Sequence, residues 1–155
     1  MTKERDFALK TMMPGLSLQP AISSAIQDGL ARLLPEVRIR AGIELDRLRN
    51  ENNQARGHIE FLLLLDNGLV HVKGTLIEGE TRTLNLAHQV FPLSSIRRVV
   101  ATTAHEDKTG RAYMRSVELT LHLHEGTSFT AKAALPEGRV DELLAFVRAT
   151  VEALK

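Results

Sequence analysis

The sequence predicts an α+β chain: N-terminal helices, then a strongly bent antiparallel sheet curled into a small barrel, then a C-terminal helix that caps it. Three observations predict this. Residues 136–154 place Val140, Leu143, Leu144, Val147, Val151 and Leu154 at the i, i+3, i+4, i+7 spacing of one helix face. Residues 117–124 alternate strictly, with Val117, Leu119, Leu121 and Leu123 one way and Glu118, Thr120, His122 and His124 the other. Short runs of this kind, separated by turn residues, recur between residues 37 and 133. A strongly bent sheet has two open ends, and a single apolar helix face can close one. The expected organisation is a helical extension over residues 1–35 and a barrel with its closing helix over residues 36–155.

Composition narrows the function. The chain has 155 residues, 43% hydrophobic and 25% charged, as in an ordinary folded domain. Its formal net charge of +1 gives no electrostatic footprint for nucleic acid and no polybasic membrane signal. Cysteine is absent, which excludes disulfides, thiolate metal sites and cysteine nucleophiles. The longest apolar runs, Phe61 to Leu65 and Leu143 to Val147, are too short to span a bilayer. The N-terminus carries Glu4 and Asp6 and no signal-type apolar core, so the expected compartment is the cytoplasm.

In chain order, Thr2 caps a first expected helix that ends near Met12 or Met13, before the breaker Pro14-Gly15. A second starts near Pro20 and stops before Pro35, with Ala21, Ile22, Ala25, Ile26, Leu30, Leu33 and Leu34 on one face. Its polar face, Ser23, Ser24, Gln27, Asp28 and Arg32, is too poor in cations for a membrane-surface helix. Val37 to Leu45 alternates as a strand; a helix over Glu36–Arg56 is the rival, since Ala41, Leu45 and Leu48 also fit helical spacing. His58–Leu65 and Leu69–Gly74 flank Asp66-Asn67-Gly68, a strong hairpin signal. A short strand follows over Thr81–Leu86, another over Ile96–Thr103, and Ala104–Gly110 reads as a polar loop. After the 117–124 strand, Glu125-Gly126 turns the chain, and Phe129, Ala131 and Ala133 alternate with polar residues. Pro136 suits the first turn of the last helix.

This order resembles the bacterial pleckstrin-homology-like (PH-like) domain family over about residues 37–154. Phe61 to Val72 is similar to its second and third strands around a tight turn, and Phe91-Pro92-Leu93-Ser94-Ser95-Ile96-Arg97-Arg98-Val99 resembles a recurrent segment of the family. Val117 to Phe129 looks like its penultimate hairpin and Val140 to Leu154 like its closing helix. Eukaryotic members carry a tryptophan in that helix; here Phe146 or Val147 has to fill the space. The resemblance implies binding through loops or a sheet edge. In lipid-binding members, basic residues sit near the first hairpin, where this chain has Arg47, Arg49 and Arg56. That gives an alternative reading, peripheral binding of anionic lipid headgroups.

Chemistry-bearing constellations are sparse. His122, His124 and Glu118 could share one strand face, but without a dedicated metal-ligand spacing. His58 and His71 could be neighbours across the hairpin. No nucleophile elbow and no phosphate-binding glycine loop occurs. The paired carboxylates Glu78/Glu80 and Glu106/Asp107 lie in expected loops, open to solvent and without the enclosed surroundings that acid–base chemistry needs. Aromatics are 4% of the chain, and Tyr113 between Arg111 and Arg115 is the best local cluster for stacking on nucleic acid. The expectation is therefore a non-catalytic protein-binding or self-assembly module with no cofactor, no metal and no nucleic-acid partner.

The partner surface is expected from an apolar excess. Ile59, Phe61, Leu63 and Leu65 face one way and Leu62 and Leu64 the other, so both faces of this strand need cover. The second N-terminal helix can supply it, from the same chain or from a second copy. The expected contact set is Ile22, Ile26, Leu30, Leu33, Leu62 and Leu64, with a homodimer as one outcome.

Overall fold

The computed structural model describes residues 20–33, 38–46, 56–78, 82–134 and 139–155. The elements are α1 (Pro20–Leu33), β1 (Ile39–Asp46), β2 (Arg56–Leu65), β3 (Gly68–Glu78), β4 (Arg82–Pro92), a short 3₁₀ helix (Leu93–Ser95), β5 (Ile96–Lys108), β6 (Arg111–Leu123), β7 (Ser128–Ala134) and α2 (Arg139–Ala153). The chain divides into two compact units, Met1–Phe91 and Pro92–Lys155. Among the described residues the strands form two sheets, of order β1-β2-β3-β4 and β5-β6-β7, and not the single closed barrel expected. The physical break is local. Pro92 has no N–H to donate, and the 3₁₀ turn that follows it separates β4 from β5. Of the two expected N-terminal helices, the one over Thr2–Met13 lies outside the described residues. No helix among the described residues is long and apolar enough to cross a membrane.

In the first unit, residues 39–46 are strand, which decides against the rival helix. β1 and β2 are antiparallel, with Ile43 opposite Leu62, and β2 and β3 likewise, with Leu63 opposite Val70. Phe61, Leu62, Leu63, Leu64 and Leu65 are all buried, so β2 is covered on both faces as its continuous apolar run requires. Asp66-Asn67 is the two-residue loop, and Gly68 is already the first residue of β3. Gly68 does not need a left-handed backbone; its role is close approach. A Cβ there would lie 2.9 Å from the Phe91 carbonyl oxygen, a backbone atom that cannot swing aside. Gly68→Ala is therefore expected to destabilise the protein by about 1–3 kcal/mol, read as a lower midpoint in urea with an unchanged slope.

α1 carries a glycine in mid-helix for a related reason. A Cβ at Gly29 would lie 2.8 Å from Cε1 of His88 on β4, so the glycine lets the helix backbone meet the imidazole. The ring is half-buried, and its Nε2 has no hydrogen-bond partner among the described residues. Burial lowers the His88 pKa from 6.5 by penalising the imidazolium. The unfolded chain then binds the proton more readily than the folded one. The His88 contribution is complete above 6.5 and is lost as pH falls from there through the lowered folded value. Melts at about pH 7.5 and about pH 5 are expected to differ less for His88→Gln than for the parent chain.

In the second unit, β5–β6 and β6–β7 are antiparallel. Val117, Leu119, Leu121 and Leu123 of β6 and Phe129, Ala131 and Ala133 of β7 are buried at every second residue, as expected. α2 packs on β6 and β7. Its inward residues are Val140, Leu143, Phe146 and Thr150, whereas Val151 and Leu154 are exposed, which corrects the expected stripe. Thr150 is fully buried because its hydroxyl donates to the Phe146 carbonyl one turn back at 2.8 Å. Leu154 lies past the end of the helix.

Candidate functional site

Of the six expected partner residues, three have side chains that are described. Leu62 and Leu64 are 1% and 0% exposed within the single chain, so they have no area to offer a partner. Leu33 is 58% exposed at the end of α1. Ile22, Ile26 and Leu30 lie on α1, with their side chains outside the described set. Arg47 and Arg49 lie outside the described residues. Arg56 opens β2 opposite Ile77, with its side chain outside the described set as well.

The histidines are dispersed. Leu62, not His58, stands opposite His71, and His71 Nε2 lies 3.2 Å from Glu60 Oε1. His122 and Glu118 share a half-exposed face of β6, while His124 sits in the turn, its N–H donating to the Ser95 carbonyl at 2.9 Å. Among the described residues no three metal-ligating side chains gather.

What stands open is the β5–β6 hairpin. The expected polar loop 104–110 is strand instead: β5 runs on to Lys108, β6 begins at Arg111, and Thr109-Gly110 is the two-residue turn. Both turn residues have positive φ, 54° and 79°, the geometry that matches strand twist. Thr109 is β-branched and strained there, and its hydroxyl donates to the Lys108 carbonyl at 2.7 Å. β7 pairs with β6 only from Ser116 onward, and Ser116 stands opposite Ala104, so among the described residues, 105–115 form a two-stranded ribbon with no third strand. On β5 it spans four residues, roughly 13 Å at about 3.3 Å each.

The ribbon is exposed throughout except at Glu106 and Met114, which are half-buried. Arg115 Nε donates to Glu106 Oε2 at 3.1 Å, and Lys108 Nζ lies 3.9 Å from the other carboxylate oxygen. Thr103 Oγ1 is 3.0 Å from His105 Nε2 on the same side of β5. Tyr113 is 46% exposed, its ring opposite Glu106. These groups can hydrogen-bond, form ion pairs and present one aromatic ring. The strand backbones add a row of amides and carbonyls. The signal missed in the sequence was Lys108-Thr109-Gly110-Arg111, a glycine-containing turn with no apolar alternation beside it.

No protein-family model matches the chain, and no curated protein sequence matches it either. Among solved structures it is similar to the hSac2 domain from the human phosphoinositide phosphatase Sac2, at a TM-score of 0.45 and 19% identity, over 88% of this chain and 84% of that chain. That finding corrects the expectation of a chain without catalysis. A likeness at that level assigns no activity either.

Proposed function

We propose that the protein is a protein-binding or self-assembly module of PH-like arrangement, and that it associates through the β5–β6 ribbon. The order of a four-stranded sheet, a three-stranded sheet and a terminal helix supports the PH-like arrangement. The ribbon carries the functional reading. A two-stranded ribbon in water is marginally stable, because it buries almost nothing for itself. A partner that adds a strand to its edge or covers a face would supply what it lacks, through backbone hydrogen bonds and side-chain contacts at alternate positions.

The test is site-specific photo-crosslinking in the native cell. A crosslinker at His105 or Tyr113, both exposed, is expected to capture a protein chain, whether a copy of this one or another. A crosslinker at exposed Glu125, outside the ribbon, serves as the control. Capture no greater at the ribbon than at the control sinks the reading.

A further inference from the structure

We propose that β5 of one chain pairs antiparallel with β5 of a second copy, in a register set by Arg98 opposite Glu106. This rests on the reading of the ribbon as an association surface, extends that surface along β5 back to Arg98, and names its partner. Among the described residues β5 is an outer strand of its sheet. Along its own backbone it is continuous from Arg98 to Lys108, because the irregularity near Ala104 is an extra residue, Arg115, on β6. An extra residue at Arg97 on β5 and the Thr109-Gly110 turn bound the stretch on either side.

Outer strands usually carry a charge, a proline or a bulge that stops another strand from docking. Val99 to Ala104 has none of these: it is six uncharged residues, two each of valine, alanine and threonine, of which valine and threonine favour strands, and Ala101 to Ala104 are exposed. Opposite charges stand at its two ends, Arg98 before it and Glu106 after it.

That charge order selects the occupant. A two-fold axis through Thr102 sets Arg98 of each copy against Glu106 of the other, so both ends are satisfied by one isologous contact. All three residues lie on one face of the strand, since they differ by even numbers of positions. Parallel in-register pairing would instead set Arg98 on Arg98 and Glu106 on Glu106, which repels. Glu106 keeps its Arg115 contact in the pair, because a carboxylate accepts several donors.

The experiment is solution mass by light scattering across a concentration series, on the full chain. The parent chain is expected to reach twice 17.2 kDa. Arg98→Glu puts like charges at both ends of the strand pair, as does Glu106→Arg, so each variant by itself is expected to stay at 17.2 kDa. An equimolar mixture of the two variants restores opposite charges at both ends, and the doubled mass is expected to return. Glu106→Arg also faces Arg115 and Lys108 within its own chain, and the mixture removes that ambiguity, since mixing leaves those neighbours unchanged. Far-UV circular dichroism of each variant confirms folding. A parent chain that stays monomeric overturns the inference, as do single variants that remain dimeric or a mixture that does not recover. A monomeric parent whose ribbon still crosslinks to another protein overturns only this inference. A ribbon that crosslinks to nothing overturns the association reading beneath it.

Discussion

Phe146→Ala is expected to lower the stability of the second unit by about 3–5 kcal/mol, the usual cost of emptying a fully buried phenylalanine site. Phe146 is 0% exposed and sits on the inward face of α2, between Leu143 and Thr150. The helix packs on β6 and β7, where the buried β7 positions include the small residues Ala131 and Ala133. Small side chains on the sheet leave the helix ring to fill the space, and they cannot expand when it is removed. The loss is large against a total of about 5–15 kcal/mol for a domain, so a fall in Tm of roughly 10 °C is expected. Val147→Ala is the control. Val147 is half-buried and should cost much less. Equal effects at the two positions would show that the helix is seated on a different face.

That prediction also shows what the sequence could and could not convey. The choice between Phe146 and Val147 was open, because both fall within the apolar arc of the helix. The structure resolves it through Thr150, a polar residue whose hydroxyl is satisfied within its own helix and which therefore takes a core position. Period-based reading assigns such a threonine to solvent and rotates the stripe toward Val151. β6 was legible from Val117 onward because one face is buried and the other wet. The same strand before Ser116 was not, because both faces are wet and no alternation exists to read. The ribbon that carries the proposed site was therefore the part of the fold least visible in the sequence. Gly68 was visible as a turn residue, but the atom that demands it, the Phe91 carbonyl oxygen, belongs to a strand more than twenty residues on.

Leu62→Asp is expected to unfold the first unit and not merely to alter association. On a docking face, an aspartate at this position would leave secondary structure and Tm intact and would abolish only a contact. Leu62 is instead 1% exposed, on a strand whose neighbours in sequence from Phe61 to Leu65 are all buried, with Ile43 and His71 opposite on the flanking strands. A carboxylate there loses its hydration, and His71 opposite it already lies 3.2 Å from Glu60 Oε1, so the new carboxylate either stays charged at a cost of several kcal/mol or takes up a proton. The lost apolar burial of the leucine adds about 1.5–3 kcal/mol. Together these approach the whole stability of a small domain. Circular dichroism and a urea titration distinguish the outcomes: a chain that keeps its far-UV spectrum and midpoint would mean that Leu62 meets solvent or a partner, and the core described for β2 would be wrong. Leu62→Met, which conserves volume, is expected to cost less than about 1.5 kcal/mol and to leave the fold intact.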